Sequence, residues 1–464
     1  MRRFKMPTAY TVLLAILLVM ILLTWVIPSG SYDYTGDGTP IAGSYHRVED
    51  EAQPLTALFT APLQGLYEAI DIAAFILTVG GFLGVMAKTG AIDGGIAAIV
   101  RRLRGKELLL IPILMAAFAV GGTTFGMAEE TIAFYPLVLP IMVAAGYDTV
   151  TAVATILLGA GVGVIGSTVN PFATGIASGF AGVSLGEGIL LRAAILLALL
   201  ALAIRYVMSY AARVRADHSR SLVADRRSEH LAHFGALGQE DRPLGGVQKL
   251  ALLLFGATFL LMVYAVIPFG DMGVPIPSLG WWFPELSALF LFSSVLTGLC
   301  CRLKEEETVT AFVSGAAELL GVAFIIGISR GITVIMDSGK ITDTILSWGE
   351  AALSGAGPLA FLLLTFFIYL PLSFLIPSSS GLATLSMPIM APLADFAGVE
   401  RSLVITAFQS ASGILNLITP TSAVVMGALA IGRVGYDRWL KFVRKLILFI
   451  LLLVAALLAL GVLL

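Results

Sequence analysis

Two stretches of this chain read as one sequence written twice. Residues 125–182 run FGMAEETIAFYPLVLPIMVAAGYDTVTAVATILLGAGVGVIGSTVNPFATGIASGFAG, and residues 376–432 run IPSSSGLATLSMPIMAPLADFAGVERSLVITAFQSASGILNLITPTSAVVMGALAIG. Each holds Pro-x-x-x-Pro (Pro136 and Pro140; Pro388 and Pro392), then a glycine (Gly146; Gly398), then an apolar segment interrupted by a polar, proline-containing break (Asn170-Pro171; Thr419-Pro420). A chain duplicated in this way has to build its fold from two copies of one unit. Paired, interrupted apolar segments in matching halves point to the binding site of a membrane transporter.

With 58% hydrophobic and 12% charged residues and a mean hydropathy of +0.96, the chain falls outside the range of soluble domains. An all-α polytopic membrane protein is expected, because backbone polar groups in lipid are satisfied inside helices. The formal charge of -2, with basic residues dispersed among loops, excludes a nucleic-acid partner. The only cysteines, Cys300 and Cys301, are adjacent and read as packing residues, since neighbours do not readily form an unstrained bridge. The apolar run 8–27 behind MRRFKMP is too long for a signal-peptide core and lacks a small-x-small cleavage site, so it reads as a retained first helix.

Nine full crossings are expected, at 8–28, 66–87, 149–182 (broken), 188–209, 248–268, 284–302, 314–336, 402–432 (broken) and 443–463. Residues 107–145 and 358–394 read as two re-entrant hairpins, because their arms look too short to span while leaving a Gly/Ser/Thr-rich tip in water. Most of the 28 basic residues fall in segments on one side, including Lys88–Lys106, Arg205–Lys249 and Arg433–Lys445. Arg47, Arg192, Lys340 and Arg401 fall on the other. The positive-inside rule then puts the N-terminus inside and the C-terminus outside a cytoplasmic (inner) membrane.

The duplication extends upstream, since Glu68 matches Glu318, Ala73 matches Ala323, Gly81 matches Gly331 and Met86 matches Met336 at a constant offset. By the charge assignment these matched helices run in opposite directions, so the units are inverted repeats, 1–210 and 284–464. The helix 248–268 supplies the extra crossing that inverts the second. Between them, 211–247 reads as a cytoplasmic linker holding His218, His230 and His233, too short to bury a core of its own. No histidine lies in an expected crossing, so a proton relay would have to use carboxylates.

The breaks at 166–171 (GSTVNP) and 416–421 (NLITPT) put polar and helix-breaking residues where a spanning helix should be continuous. Unwinding there frees backbone groups that are tolerated only inside protein or against a cavity, where they can hold a cation or a carboxylate. Substrate contacts are expected from Asn170, Asn416 and Thr421, and ion contacts from Gly166, Ser167, Thr168 and Thr419. The hairpin tips add Glu129 and Glu130 in the first half, and Ser378, Ser379 and Ser380 in the second, with Ser380 shared between substrate and ion. Adjacent buried glutamates suit proton coupling, cation ligation or contact with a substrate amine; the bland alternative is a solvated tip. Arg330 in GISRGI reads as a carboxylate clamp or a counter-ion to Glu129 or Glu130, or as a snorkelling residue paired with Asp337.

PSSSGLATLSMP followed by NLITPT resembles the tip-then-broken-helix signature of the ion-transporter superfamily. With FGMAEET, GSTVNPF, ISRGI and ITPTSAVVMGALA, the chain from Met6 to Leu464 is similar to the YfcC-like branch of the anaerobic four-carbon-dicarboxylate carrier (DcuC) family. That resemblance implies homodimers in which a scaffold holds a moving transport domain, with substrate and Na+ held by Ser/Asn/Thr motifs at the tips. Ser378, Ser379 and Ser380 occupy one such motif; Gly126, Met127 and Ala128 stand at the other, so a two-sodium site does not carry over.

These features converge on a secondary active transporter of a small carboxylate-bearing metabolite, an amino acid more than a dicarboxylate. It would work by alternating access, coupled to Na+ or H+ or by exchange, with no other cofactor. A cation/proton antiporter without organic substrate is the close rival. An intramembrane enzyme is disfavoured by the lack of a membrane histidine, a Ser/Lys pair or a metal motif.

Overall fold

The computed structural model describes residues 9–36, 40–92, 94–95, 107–234, 245–266, 269, 275–353 and 355–463. The basic residues Arg2, Arg3, Lys5, Arg101, Arg102, Arg104, Lys106 and Arg242, used above to orient the chain, lie outside them. Apart from a two-stranded antiparallel sheet, Gly30–Ser31 with His46–Arg47, the described architecture is helical. Eight described helices are long and apolar enough to cross a membrane, with shorter apolar helices at Tyr10–Thr24 and Thr149–Ile165.

The duplicated pattern appears as duplicated structure. In the first half come Leu110–Phe125, Tyr135–Ala144, Thr149–Ile165, Ile176–Ala181 and Ile189–Ala216; in the second, Pro358–Leu375, Ser379–Ala397, Arg401–Leu415, Ala423–Ile431 and Tyr436–Leu463. The matched glycines Gly146 and Gly398 both take left-handed backbone, φ +88° and +68°, and turn the chain after the second hairpin arm. Only glycine adopts that conformation without a Cβ penalty. Each broken helix is then started by a local device. The Asp148 carboxylate accepts from the Thr151 amide at 2.9 Å, and Glu400 precedes Arg401 in extended backbone.

Several boundaries differ from expectation. The crossing expected at 66–87 is two helices, Ala57–Glu68 and Ile70–Lys88, with a kink at Ala69 (φ -114°, ψ 23°). Gln64, Glu68 and Asp71 dilute the apolar signal there and hide the first helix. The helix expected at 314–336 runs from Glu305 to Ser338; its three opening glutamates suit the positive helix N-terminus, and Glu307 accepts from the Lys304 amide at 3.1 Å. The first hairpin arms are not short: Glu107–Thr124 and Pro358–Leu375 each have 18 residues and are apolar enough to cross. Arg192, assigned above to a loop, lies in the helix Ile189–Ala216 and is 1% exposed.

Repeat-related helices meet antiparallel, with backbone against backbone at matched glycines. A Cβ on Gly65 would stand 2.2 Å from the Gly327 carbonyl oxygen and 2.3 Å from the Gly331 nitrogen, and one on Gly315 2.2 Å from the Gly80 carbonyl oxygen. Gly65 matches Gly315 at the constant offset, and each faces two glycines four residues apart on the other helix, Gly327 and Gly331 or Gly80 and Gly84, the second pair three residues out of register with that offset. Backbone approach of this kind is how helices pack where lipid offers no hydrophobic drive for association. The broken helices also oppose each other by their C-terminal ends: Gln409 Nε2 donates to the Val164 carbonyl at 2.6 Å, and Ser410 Oγ to that of Ile165 at 3.4 Å.

The described part of the linker, up to Phe234, is packed against both halves. Its helix Arg227–Phe234 buries His230 and Phe234. Tyr210 and Ser221 each donate to Asp148 at 2.6 Å, while Arg433 pairs with Glu229 at 3.3 Å and Arg438 with Asp225 at 3.1 Å. One short segment thus ties a corner of the first repeat to a corner of the second.

Candidate functional site

The two hairpin tips and the two breaks converge on a single cavity of about 370 Å³. Glu129, Glu130 and Asn170 line it from the first repeat. Ser378, Ser379, Ser380, Asn416 and Thr421 line it from the second, and Arg330 faces it from the helix Glu305–Ser338. All nine residues singled out for substrate contact therefore share one space. Of the expected ion contacts, Ser380 lines the cavity, while Gly166, Ser167, Thr168 and Thr419 lie outside its lining, in the breaks.

The first tip depends on Gly126, whose φ of +71° ends the helix Leu110–Phe125. A Cβ there would meet the Asn170 amide at 2.7 Å, so glycine lets the tip rest on the break. Glu130 is 7% exposed and accepts from the Ala128 amide at 3.0 Å. Among the described residues neither Glu129 nor Glu130 forms an ion pair with a cationic side chain. Arg330 instead donates to Glu68 at 3.0 Å, so neither expected partner, the tip glutamates nor Asp337, takes it. Its position near the Ala69 kink brings Glu68 within reach.

Below the first tip, Thr123 clamps the unwound segment. Its hydroxyl donates to the Gly166 carbonyl at 3.0 Å and accepts from the Thr168 amide at 2.9 Å. Ser167 and Thr174 hydroxyls pair at 2.6 Å. In the second repeat the Ser378 hydroxyl caps the helix Ser379–Ala397 by accepting from the Gly381 amide at 3.2 Å, which sets that positive helix end at the cavity. The Thr419 and Thr421 hydroxyls lie 2.7 Å apart, and Thr421 donates to the Phe374 carbonyl at 3.1 Å. Asn416 Oδ1 is buried and has no hydrogen-bond partner among the described residues. Trp282 and Phe283 add an aromatic wall that sequence reasoning missed, because they follow a short polar loop and carry no motif.

The family model for the C4-dicarboxylate anaerobic carrier, DcuC, matches residues 6–463. The chain belongs to the DcuC family. It is thus a membrane transporter and not an enzyme. Among DcuC-like relatives, an uncharacterized protein of Haemophilus influenzae is 34% identical, the match covering 96% of this chain and 95% of the relative. The putative basic amino acid antiporter YfcC of Escherichia coli is 31% identical over 95% of this chain and 93% of its own length. Solved structures of YdaH from Alcanivorax borkumensis and MtrF from Neisseria gonorrhoeae resemble this chain loosely, both at a TM-score of 0.43. They share 17% and 14% identity, over 98% of this chain in each case and 98% and 95% of theirs.

Proposed function

We propose that this DcuC-family transporter is a secondary active carrier for an amino acid with a cationic side chain, working by alternating access. The observation that carries the reading is the charge of the cavity wall: Glu129 and Glu130 against Arg330, which is itself engaged by Glu68. A dicarboxylate would meet two like-charged groups for one guanidinium. A basic amino acid can place its amines toward Glu129 and Glu130 and its carboxylate toward the Ser378–Ser380 helix end and Arg330. The printed name of the Escherichia coli relative, a putative basic amino acid antiporter, agrees.

An alkali cation, where one is coupled, is placed at the second break. Thr419, Thr421, Ser380 and the unpartnered Asn416 Oδ1 supply oxygens there. Under this reading the hairpins and broken helices move against the scaffold helices expected at 8–28, 248–268 and 284–302, in inverted repeats and as a homodimer of the cytoplasmic membrane. The N-terminus lies inside and the C-terminus outside.

Counterflow into proteoliposomes tests the reading. Lysine or arginine is expected to exchange, succinate or fumarate to compete poorly, and Glu130→Gln and Asn416→Ala each to lower uptake at least about tenfold, the loss expected for a buried charge-assisted contact. Succinate exchanging in preference to lysine, or both variants retaining full uptake, refutes it.

A further inference from the structure

Two buried donors stand in matching places behind the two breaks, and they differ in charge. In the first repeat, Arg192 donates to the carbonyl of Thr168 at 3.3 Å and also to that of Leu185. In the second, the Trp439 indole donates to the Leu417 carbonyl at 2.9 Å, and the Tyr436 hydroxyl to that of Ile418 at 2.7 Å. Arg192 and Trp439 lie in the helices that follow the two broken helices, and their acceptors correspond within a residue under the repeat. One break is backed by a guanidinium, the other by neutral groups.

Arg192 has no ordinary explanation. It is 1% exposed, it makes no ion pair with any carboxylate among the described residues, and its Nε and Nη1 have no hydrogen-bond partner there. A guanidinium does not shed its proton to escape such a site, so the charge has to be compensated by what surrounds it. What it meets are the Thr168 and Leu185 carbonyls, the first of them in the unwound segment just past the negative C-terminal end of the helix Thr149–Ile165. The second break meets the neutral Trp439 and Tyr436 in place of a guanidinium, and in that repeat the Asn416 Oδ1 acceptor and the Ser412 hydroxyl are buried without partners among the described residues.

We propose that Arg192 is a resident cation, a fixed positive charge that takes at the first break the role a diffusible alkali cation takes at the second. The protein therefore binds a coupling cation in its second repeat alone, and the guanidinium behind the first break keeps its charge throughout the transport cycle. This stands apart from the substrate reading, because cation binding is tested with no substrate present.

The test is the melting temperature of the full chain in detergent, in choline chloride with NaCl titrated in. In the wild type NaCl raises the melting temperature with a Hill slope of about one, and a wild type that does not respond to Na+ overturns the proposal. Arg192→Met melts lower in choline chloride and regains stability in NaCl, with a steeper Na+ dependence, because a second cation enters the vacated place. Arg192→Lys, which keeps the charge, behaves as the wild type. A loss in Arg192→Met that is equal in both salts overturns the proposal, since a purely structural arginine would behave so. So does a wild type stabilised by chloride over gluconate, which would assign the unpartnered nitrogens to an anion. If Arg192→Met yields no folded protein, the wild-type titration decides: a slope near two or no response overturns the proposal and a slope near one supports it.

Discussion

Arg330 Nε and Glu68 Oε2 lie 3.0 Å apart, joining the two repeat-related helices beside the kink at Ala69. With side chains 39% and 46% exposed, the pair is screened by solvent, and pairs of that kind contribute roughly 0.2–1 kcal/mol. Glu68→Gln and Arg330→Met should therefore change the melting temperature little. Arg330→Met should nonetheless cut uptake at least about tenfold, because the guanidinium lines the cavity. Scanning fluorimetry beside proteoliposome uptake separates the two effects, and equal loss of both would show Arg330 to be structural.

Thr123 should be the stability counterpart. Its hydroxyl bonds both the Gly166 carbonyl and the Thr168 amide in a buried setting. Thr123→Val leaves the Gly166 carbonyl without its partner at a cost of about 1–3 kcal/mol, while the Thr168 amide keeps the Thr123 backbone carbonyl at 3.2 Å; Thr123→Ser retains both hydroxyl bonds. A melting temperature lowered in the valine variant and nearly kept in the serine variant is the expected pair of results.

Gly126→Ala should damage function through backbone. The added methyl both disfavours the φ of +71° and meets the Asn170 amide at 2.7 Å, with a conformational cost of roughly 1–2 kcal/mol before the clash. The tip then lifts from the break. Uptake should fall more than in Gly256→Ala, a helical glycine with open space around it.

His230 should make linker docking sensitive to acid. Its Nε2 lies 3.3 Å from the Arg433 carbonyl and its Nδ1 3.3 Å from the Thr149 hydroxyl, an arrangement a neutral ring fits by donating through Nε2 and accepting at Nδ1. Burial lowers its affinity for a proton below the ordinary imidazole range. The released linker, with an ordinary imidazole, binds the proton more readily, so docking holds above about pH 6.5 and weakens as the pH falls below it. A nitroxide on Ser228→Cys, with Cys300 and Cys301 replaced, should become more mobile on acidification. His230→Phe should abolish that change.

The site was more legible than its supports. Asn170, Ser378–Ser380, Asn416 and Thr421 stood out as polar residues in apolar runs, where only a cavity tolerates them, and all of them line it. Glu68 was hidden as the partner of Arg330 because a pair across the repeats leaves no local periodicity to read. Arg192 read as a loop residue because an arginine near the end of an apolar run ordinarily snorkels to water. Its burial against Thr168 arises only when the helix Ile189–Ala216 packs on the break, where a Cβ on Gly166 would press against Leu196. The first hairpin arms have the length of a crossing, and length alone does not separate a re-entrant arm from one.

A methyl on Gly80 would stand 2.6 Å from the Gly315 carbonyl oxygen, and one on Gly315 2.2 Å from that of Gly80. In most cores an enlarged residue is later accommodated by a smaller neighbour. Here the neighbour is already backbone, so no second substitution makes room. Descendants of this sequence can exchange tip and break residues and so change what they carry, but they cannot drift through this seam in single steps. The crossing of the two halves should outlast any particular cargo.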